Sequence, residues 1–266
     1  MKLTVLCDNN TFIDSYLVGE PALSFYIENG KDKILFDLGY SDVFNFNAKK
    51  LGIDLSKVSK VILSHGHDDH THGLKWFKFD KNTPLYFCDG CFDKKKIDDC
   101  DLTAPYTKDT MAEMFNLIEI KDCQQISKNL YCLGPIPRTT AFEKDNKKLK
   151  TYKNNKWVQD KVLDDTALVY VSKKGLIVIT ACSHSGICNI CEYAKSLFNK
   201  NIIAVIGGFH LFELTEQVIQ TIEYFKTQNI LALYPCHCTS LKVKAAMINQ
   251  GLNVEEVGSG LKLMFD

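Results

Sequence analysis

Four times along the chain an apolar run of strand character leads into histidine: Val58 to Ser64 before His65, Leu176 to His184, Ile202 to His210, and Ile230 to His237. Helical patterns accompany the later runs. Thr215 to Gln228 puts Val218, Ile219, Ile222 and Phe225 on one stripe behind a Thr215 cap, and Lys242 to Gln250 forms a second helix stopped by Gly251. Strands alternating with helices build layered α/β folds, in which ligands gather at the carboxyl ends of strands. The recurrence therefore predicts an α/β chain in which the histidines can converge.

The N-terminal part reads as a β-meander. Its strands are Lys2 to Cys7, Ala22 to Glu28 and Lys33 to Asp37, the last two joined by a hairpin turn containing Asn29-Gly30. A final pair of short strands is expected at Asn253 to Val257 and Leu261 to Phe265. From about Asn82 to Asp164 the pattern is less regular, and the lysine-rich stretch Glu143 to Lys156 reads as a solvated loop or hairpin rather than a lid. No Gly/Ser-rich linker or internal repeat divides the chain, so one domain over residues 1–266, made of two similar lobes, is expected.

Composition narrows the function classes. With 45% hydrophobic and 24% charged residues the chain is neither disordered nor fibrous. Its 32 basic residues balance 32 acidic ones, so no global field draws it to nucleic acid or an anionic membrane, and a small-molecule partner is expected. The apolar stretch at Met1 to Cys7 is too short for a signal-peptide core and no long apolar run follows, which predicts a cytoplasmic protein. Eleven irregularly spaced cysteines then read as reduced thiols. Cys88 with Cys91 and Cys188 with Cys191 form C-x-x-C pairs that would suit zinc if the fold joined them, but buried thiols explain them better. Oligomeric state is not legible.

The chemistry concentrates in Ser64-His65-Gly66-His67-Asp68-Asp69-His70-Thr71-His72, which holds four of the chain's seven histidines. In extended chain His65 and His67 face the same way and can bind one ion; Asp69 and His70 follow where the chain can turn into a helix and address a second.

His65-Gly66-His67-Asp68-Asp69-His70 resembles the H-x-H-x-D-H signature of the metallo-β-lactamase superfamily, and Phe36-Asp37-Leu38-Gly39 resembles its strand-ending Asp-x-Gly. Thr180 to Ile187, Gly207 to Leu211 and Pro235 to Thr239 resemble the branch containing archaeal dihydropterin ribofuranosylaminobenzene phosphate synthase-like proteins. The resemblance implies an αββα sandwich of two mixed sheets packed face to face with helices outside. It further implies one metal on His65, His67 and His184 and another on Asp69, His70 and His237, with Asp37 behind the ligands, orienting them. For Asp37, bonding to backbone donors in the turn before Gly39 is an equal alternative.

The sequence departs from that pattern at His210, where many members place a bridging Asp. A role facing the site, as ligand or substrate contact, is favoured over a packed histidine, because Gly207-Gly208 permits close backbone approach. His72 is expected to be a bystander. Asp165 reads equally as an outer brace or a turn residue, and Arg138, the chain's one arginine, as a surface residue rather than an anion contact. The donor set suits two divalent ions, zinc first, with iron or manganese as alternatives. Redox relatives typically carry Glu at the position of His67, so hydrolysis by a metal-bound hydroxide is expected. Asp69 would both hold metal and orient the nucleophile. Two divalent ions, less the charges of Asp69 and hydroxide, leave about +2, which favours an anionic phosphoester substrate. The alternatives are a thioesterase or lactonase, and a non-catalytic metal- or ligand-binding relative.

Overall fold

The computed structural model, which describes residues 1–78 and 80–266, builds the chain's strands into three sheets. The chain divides into two compact units. One comprises Met1–Lys121, Asn146–Asp164 and Gly258–Phe265; the other is built from Asp122–Asp145 and Asp165–Val257.

The first unit holds a seven-stranded mixed sheet. Its order is Lys262–Met264, Lys2–Cys7, Ser24–Asn29, Asp32–Phe36, Lys60–Ile62, Pro84–Phe87 and Asn116–Glu119. The first four strands pair antiparallel, and from Asp32–Phe36 onward the pairing is parallel. The Asn29-Gly30 turn closes its hairpin as the sequence predicts, with Asn29 opposite Asp32. Leu6, Tyr26, Leu35, Phe44, Val61, Leu63, Leu85 and Met111 form the buried cluster on which this sheet rests.

A four-stranded antiparallel sheet completes this unit: Lys156–Gln159, Leu149–Lys153, Lys95–Ile97 and Cys100–Asp101. Two sheets were expected for the whole chain, and this third one lies in the segment whose pattern is irregular. Its strands are short and rich in lysine, so they carry no period-two apolar signal. The stretch Glu143 to Lys156 does contribute a hairpin, but Glu143 itself is buried rather than solvated.

The second unit carries a six-stranded sheet ordered Ala232–Pro235, Ile202–Gly207, Leu176–Ile179, Leu168–Val171, Leu130–Cys132 and Gln124–Ser127. The first three run parallel, so their carboxyl ends lie on one edge. Helices Ile187–Phe198, Glu216–Thr227 and Leu241–Asn249 belong to the same unit, and Val178, Val205, Ile190, Cys191, Val218, Phe225 and Met247 share its core.

Three local expectations need correction. Thr215 does precede the helix Glu216–Thr227, but its side chain makes no capping hydrogen bond. Ile219 is 60% exposed, and Thr221 takes the buried place beside Val218, Ile222 and Phe225. The stretch Asn253 to Val257 forms no strand; Val254 makes only an isolated bridge to Leu233, while Lys262–Met264 is the one strand that follows. No described helix is long and apolar enough to cross a membrane.

Candidate functional site

In the first unit, the strand Lys60–Ile62 ends and the chain passes through Leu63 and Ser64 into the histidine motif. Asp37, at φ +58° just past its own strand, turns its carboxylate toward this segment. Its Oδ1 accepts from the Ser64 backbone N–H at 2.7 Å, and its Oδ2 accepts from the Ser64 hydroxyl at 2.7 Å and faces His70 Nδ1 at 2.8 Å. The backbone donor that Asp37 takes is Ser64, on the neighbouring segment and not in the turn before Gly39, and its other oxygen meets a histidine.

These contacts fix protons. A carboxylate only accepts, so His70 donates through Nδ1, which in the neutral ring leaves the lone pair on Nε2. Ser64 gives its single hydroxyl proton to Asp37, so its oxygen accepts from His65 Nδ1 at 2.8 Å, and His65 also keeps its lone pair on Nε2. His65 Nε2 lies 3.0 Å from His67 Nδ1, and Asp69 Oδ2 lies 3.6 Å from His70 Nε2. One ligand atom from each of His65, His67 and Asp69 falls within 4.8 Å of the others. His65 and His70 are fully buried, and burial pushes the His67 imidazole down to about 3. Burial favours the neutral imidazole, the form that divalent-metal ligation needs, so the residues present fit such an ion. Asp69 and His70 sit on the short helix Asp68–Thr71, for which His67 is the N-cap residue.

The H-x-H turn is held from behind. The Gly66 N–H donates to Asp164 Oδ2 at 2.8 Å, and a β-carbon at Gly66 would overlap the carbonyl oxygen of Cys91. Asp164 in turn accepts from Lys95 at 2.9 Å, and Lys95 also bonds Asp160 at 2.9 Å, all three side chains being buried. Burial alone would lower the Lys95 ammonium, but Asp164 and then Asp160 overcome it and hold it above its ordinary value. Sequence reasoning missed Lys95, Asp160 and Asp164. His72 donates from Nε2 to the Thr103 carbonyl at 3.2 Å and stacks on Tyr40, which keeps it with the surface loop.

In the second unit, His184, His210 and His237 stand on loops just past the strands Leu176–Ile179, Ile202–Gly207 and Ala232–Pro235, and all three are half-buried. The His184 and His210 rings lie 4.3 Å apart between centroids. His210 and His237 both adopt positive φ, at +52° and +48°, a conformation that bonds on the neighbouring loops must hold. Those bonds are present: Phe209 N–H donates to Thr239 Oγ1 at 2.9 Å, and His210 N–H to Cys238 Sγ at 3.2 Å. At Gly208 a β-carbon would overlap the Ala181 carbonyl, so this loop approach admits glycine alone.

Cys182, His210 and Cys238 also bring one ligand atom each within 4.8 Å. Burial would raise the Cys238 thiol, but side-chain bonds from Cys182 and His210 and the charge of His237 bring it well below its ordinary range. Among the described residues, neither C-x-x-C pair joins a group of three or more ligand-type side chains. Asp165 accepts from the Ser185 N–H at 2.7 Å and so braces the residue after His184. Glu143 accepts from the backbone N–H groups of Cys188 and Asn189 at 2.8 Å each, occupying the start of the helix Ile187–Phe198. No local signal marks this role of Glu143 in the sequence, because the two backbone donors it meets lie more than forty residues away.

Residues 17–90 match the model of the metallo-β-lactamase superfamily. The chain is similar to an uncharacterized protein of Methanocaldococcus jannaschii, 31% identical over 244 residues that cover 90% of this chain and 91% of that one. It is also similar to that organism's 7,8-dihydropterin-6-methyl-4-(β-D-ribofuranosyl)-aminobenzene-5'-phosphate synthase, 29% identical over 262 residues covering 92% and 89%. Among solved structures, Tm1679, a metal-dependent hydrolase of the β-lactamase superfamily, superposes over 100% of both chains with a TM-score of 0.88 at 30% identity.

Proposed function

Because the chain belongs to the metallo-β-lactamase superfamily, we propose that it is a dinuclear metal-dependent hydrolase of a small anionic phosphoester. In this reading His65, His67 and His184 hold one divalent ion and Asp69, His70 and His237 the other, with zinc the first choice. The observation that carries it is the pair of hydrogen bonds at Nδ1 of His65 and His70, both traced to Asp37, which in the neutral rings leave Nε2 with a lone pair for a metal. Divalent ions so held bring water toward a pKa near 7 and polarise a phosphoryl oxygen.

The chain's own residues supply the rest. Asp69, 30% exposed, offers a carboxylate that takes the proton of the attacking water and fixes its direction. His210, on the Gly207-Gly208 loop, contacts the substrate in place of a bridging carboxylate. Without that carboxylate the centre keeps an excess of about +2, which selects an anion.

Purified protein loaded separately with zinc, manganese and ferrous iron should hydrolyse at least one phosphomonoester, phosphodiester or cyclic phosphodiester, and chelation should abolish the turnover. Failure on every anionic ester with every metal would overturn the proposal. Turnover confined to thioesters or lactones would establish the acyl-hydrolase alternative instead.

The likeness to a synthase favours a second reading, in which the same ions activate a phosphate-bearing substrate for bond formation. Product analysis in ¹⁸O-water separates the two, since hydrolysis puts solvent oxygen into product and condensation does not.

A further inference from the structure

The zero net charge of the chain hides a local imbalance on the four-stranded sheet of the first unit. Side chains alternate across a sheet, and here the inner set is buried: Lys95 with its two carboxylates, Leu149 and Thr151. The outer set is therefore Lys94 and Lys96, then Lys150 and Tyr152 on the neighbouring strand, then Trp157 and Gln159. Tyr152 and Trp157 stand opposite each other across the hairpin, their ring centroids 5.3 Å apart at 66°, and remain 38% and 40% exposed. Lys96 Nζ lies 4.8 Å from the centroid of Trp157, and Lys94 Nζ 5.9 Å from that of Tyr152.

Two cross-strand pairs in this sheet set lysine against lysine: Lys150 opposite Lys96, and Lys153 opposite Lys156. Like charges directly opposite destabilise a ladder, and an anion between them relieves it. Lys153 has such an anion in Asp93, at 3.2 Å. Among the described residues, Lys94, Lys96 and Lys150 form no ion pair. The acids gather at the far edge, where Asp98 pairs with Lys148 at 3.7 Å, Asp99 stands in the same turn, and Asp101 accepts from the Thr103 N–H at 3.0 Å. Asp101 is opposite Lys96, yet Lys96 reaches the other way, over Trp157. The outer face thus carries three lysines against one carboxylate. Cross-strand packing accounts for the aromatic pair by itself, but it gives no reason for setting Lys96 against Lys150 beside it.

We propose that this face binds a single-stranded polynucleotide, with two bases stacked on Tyr152 and Trp157 and the phosphates on Lys94, Lys96 and Lys150. Exposed aromatics on a four-stranded sheet suit two or three unpaired bases, and stacking accepts any sequence because every base has a π-face. An acidic peptide would answer the lysines and leave the aromatics unused, and a duplex keeps its bases inside. The face contains none of the proposed metal ligands, so this binding goes beyond the hydrolase reading and does not depend on it.

Fluorescence anisotropy of a short labelled oligothymidylate, titrated with the full chain at low salt, tests this. Saturable binding is expected in the micromolar range, at least about tenfold tighter than for the same strand paired with oligoadenylate. Tyr152→Ala and Trp157→Ala should each weaken it by about fivefold or more, while Trp157→Phe, which keeps a ring, should stay within about threefold of the parent. Three phosphate contacts on a single strand predict that log K falls with log salt at a slope of about −2, and Lys96→Gln should make that slope shallower by about 0.7. Circular dichroism verifies the fold of each variant; should Trp157→Ala fail to fold, Trp157→Leu keeps apolar bulk without a π-face and makes the same test. No saturable binding, equal affinity for the duplex, or alanine variants that bind as the parent does would overturn the proposal. Polyglutamate competing as well as unlabelled oligothymidylate would overturn it too, marking a general anion patch. Turnover plays no part in this readout, so failure here leaves the hydrolase reading standing, and failure of every hydrolysis assay leaves this face standing.

Discussion

Replacing Asp37 by Asn keeps the shape of the side chain and removes its ability to accept on both oxygens. The carboxylate accepts three hydrogen bonds, from Ser64 N–H, Ser64 Oγ and His70 Nδ1. With the amide oxygen left at Oδ2, the new NH₂ group faces the Ser64 N–H, donor against donor. With the amide turned over, the NH₂ faces Ser64 Oγ and His70 Nδ1, and His70 must move its proton to Nε2, the atom a metal needs. Either orientation costs about 1–3 kcal/mol for a buried unsatisfied group, and only the first preserves the ligand. Loss of such an orienting partner typically lowers metal affinity by about 10- to 100-fold, at about 1.4 kcal/mol per tenfold. Competition of Asp37→Asn and the parent protein against a chromophoric zinc chelator, with circular dichroism to verify the fold, measures this. Zinc affinity within about threefold of the parent would refute Asp37 as the group that orients His65 and His70 for a metal.

Three further outcomes follow from the same geometry. Lys95→Met leaves Asp160 and Asp164 buried without their cation and should lower unfolding free energy by about 3–5 kcal/mol in urea titrations. Because the folded Lys95 is held above its ordinary 10.5, its contribution is complete below that pH and is lost as pH rises through the folded value, so the gap between parent and variant should stay flat from neutrality to about pH 10 and shrink only above 10.5. Gly66→Ala must push the Cys91 carbonyl aside, so the chain should melt at lower temperature and bind zinc more weakly than the parent in the same chelator assay. His72→Gln, whose amide can still donate to the Thr103 carbonyl, should leave metal content unchanged by elemental analysis; loss of metal would show that His72 belongs to the ligand set.

The parts of this molecule that show in its sequence are those whose signal is local. The parallel strands before the histidines are apolar runs, the Asn29-Gly30 hairpin is a two-residue turn, and the H-x-H-x-D-H motif compresses four candidate donors into six positions. What stayed hidden depends on residues far apart along the chain. Gly66 finds Asp164, Lys95 finds Asp160 and Asp164, and the helix Ile187–Phe198 finds Glu143, each across more than forty positions and with no periodicity to announce the pairing. A buried lysine and a buried glutamate read as solvated residues until their partners are seen, because composition alone assigns such side chains to the surface. The same reasoning misplaced Arg138 on the surface, and it gave Thr215 a capping role that its side chain does not take.

The proposed function stands or falls on whether these histidines and Asp69 hold two ions. Elemental analysis of reduced protein, purified without added metal or chelator, tests it most directly. A dinuclear centre requires about two zinc, iron or manganese ions per chain, with the count falling in variants of His65, His67 and His70. Protein that carries no metal and takes up none on remetallation would contradict it.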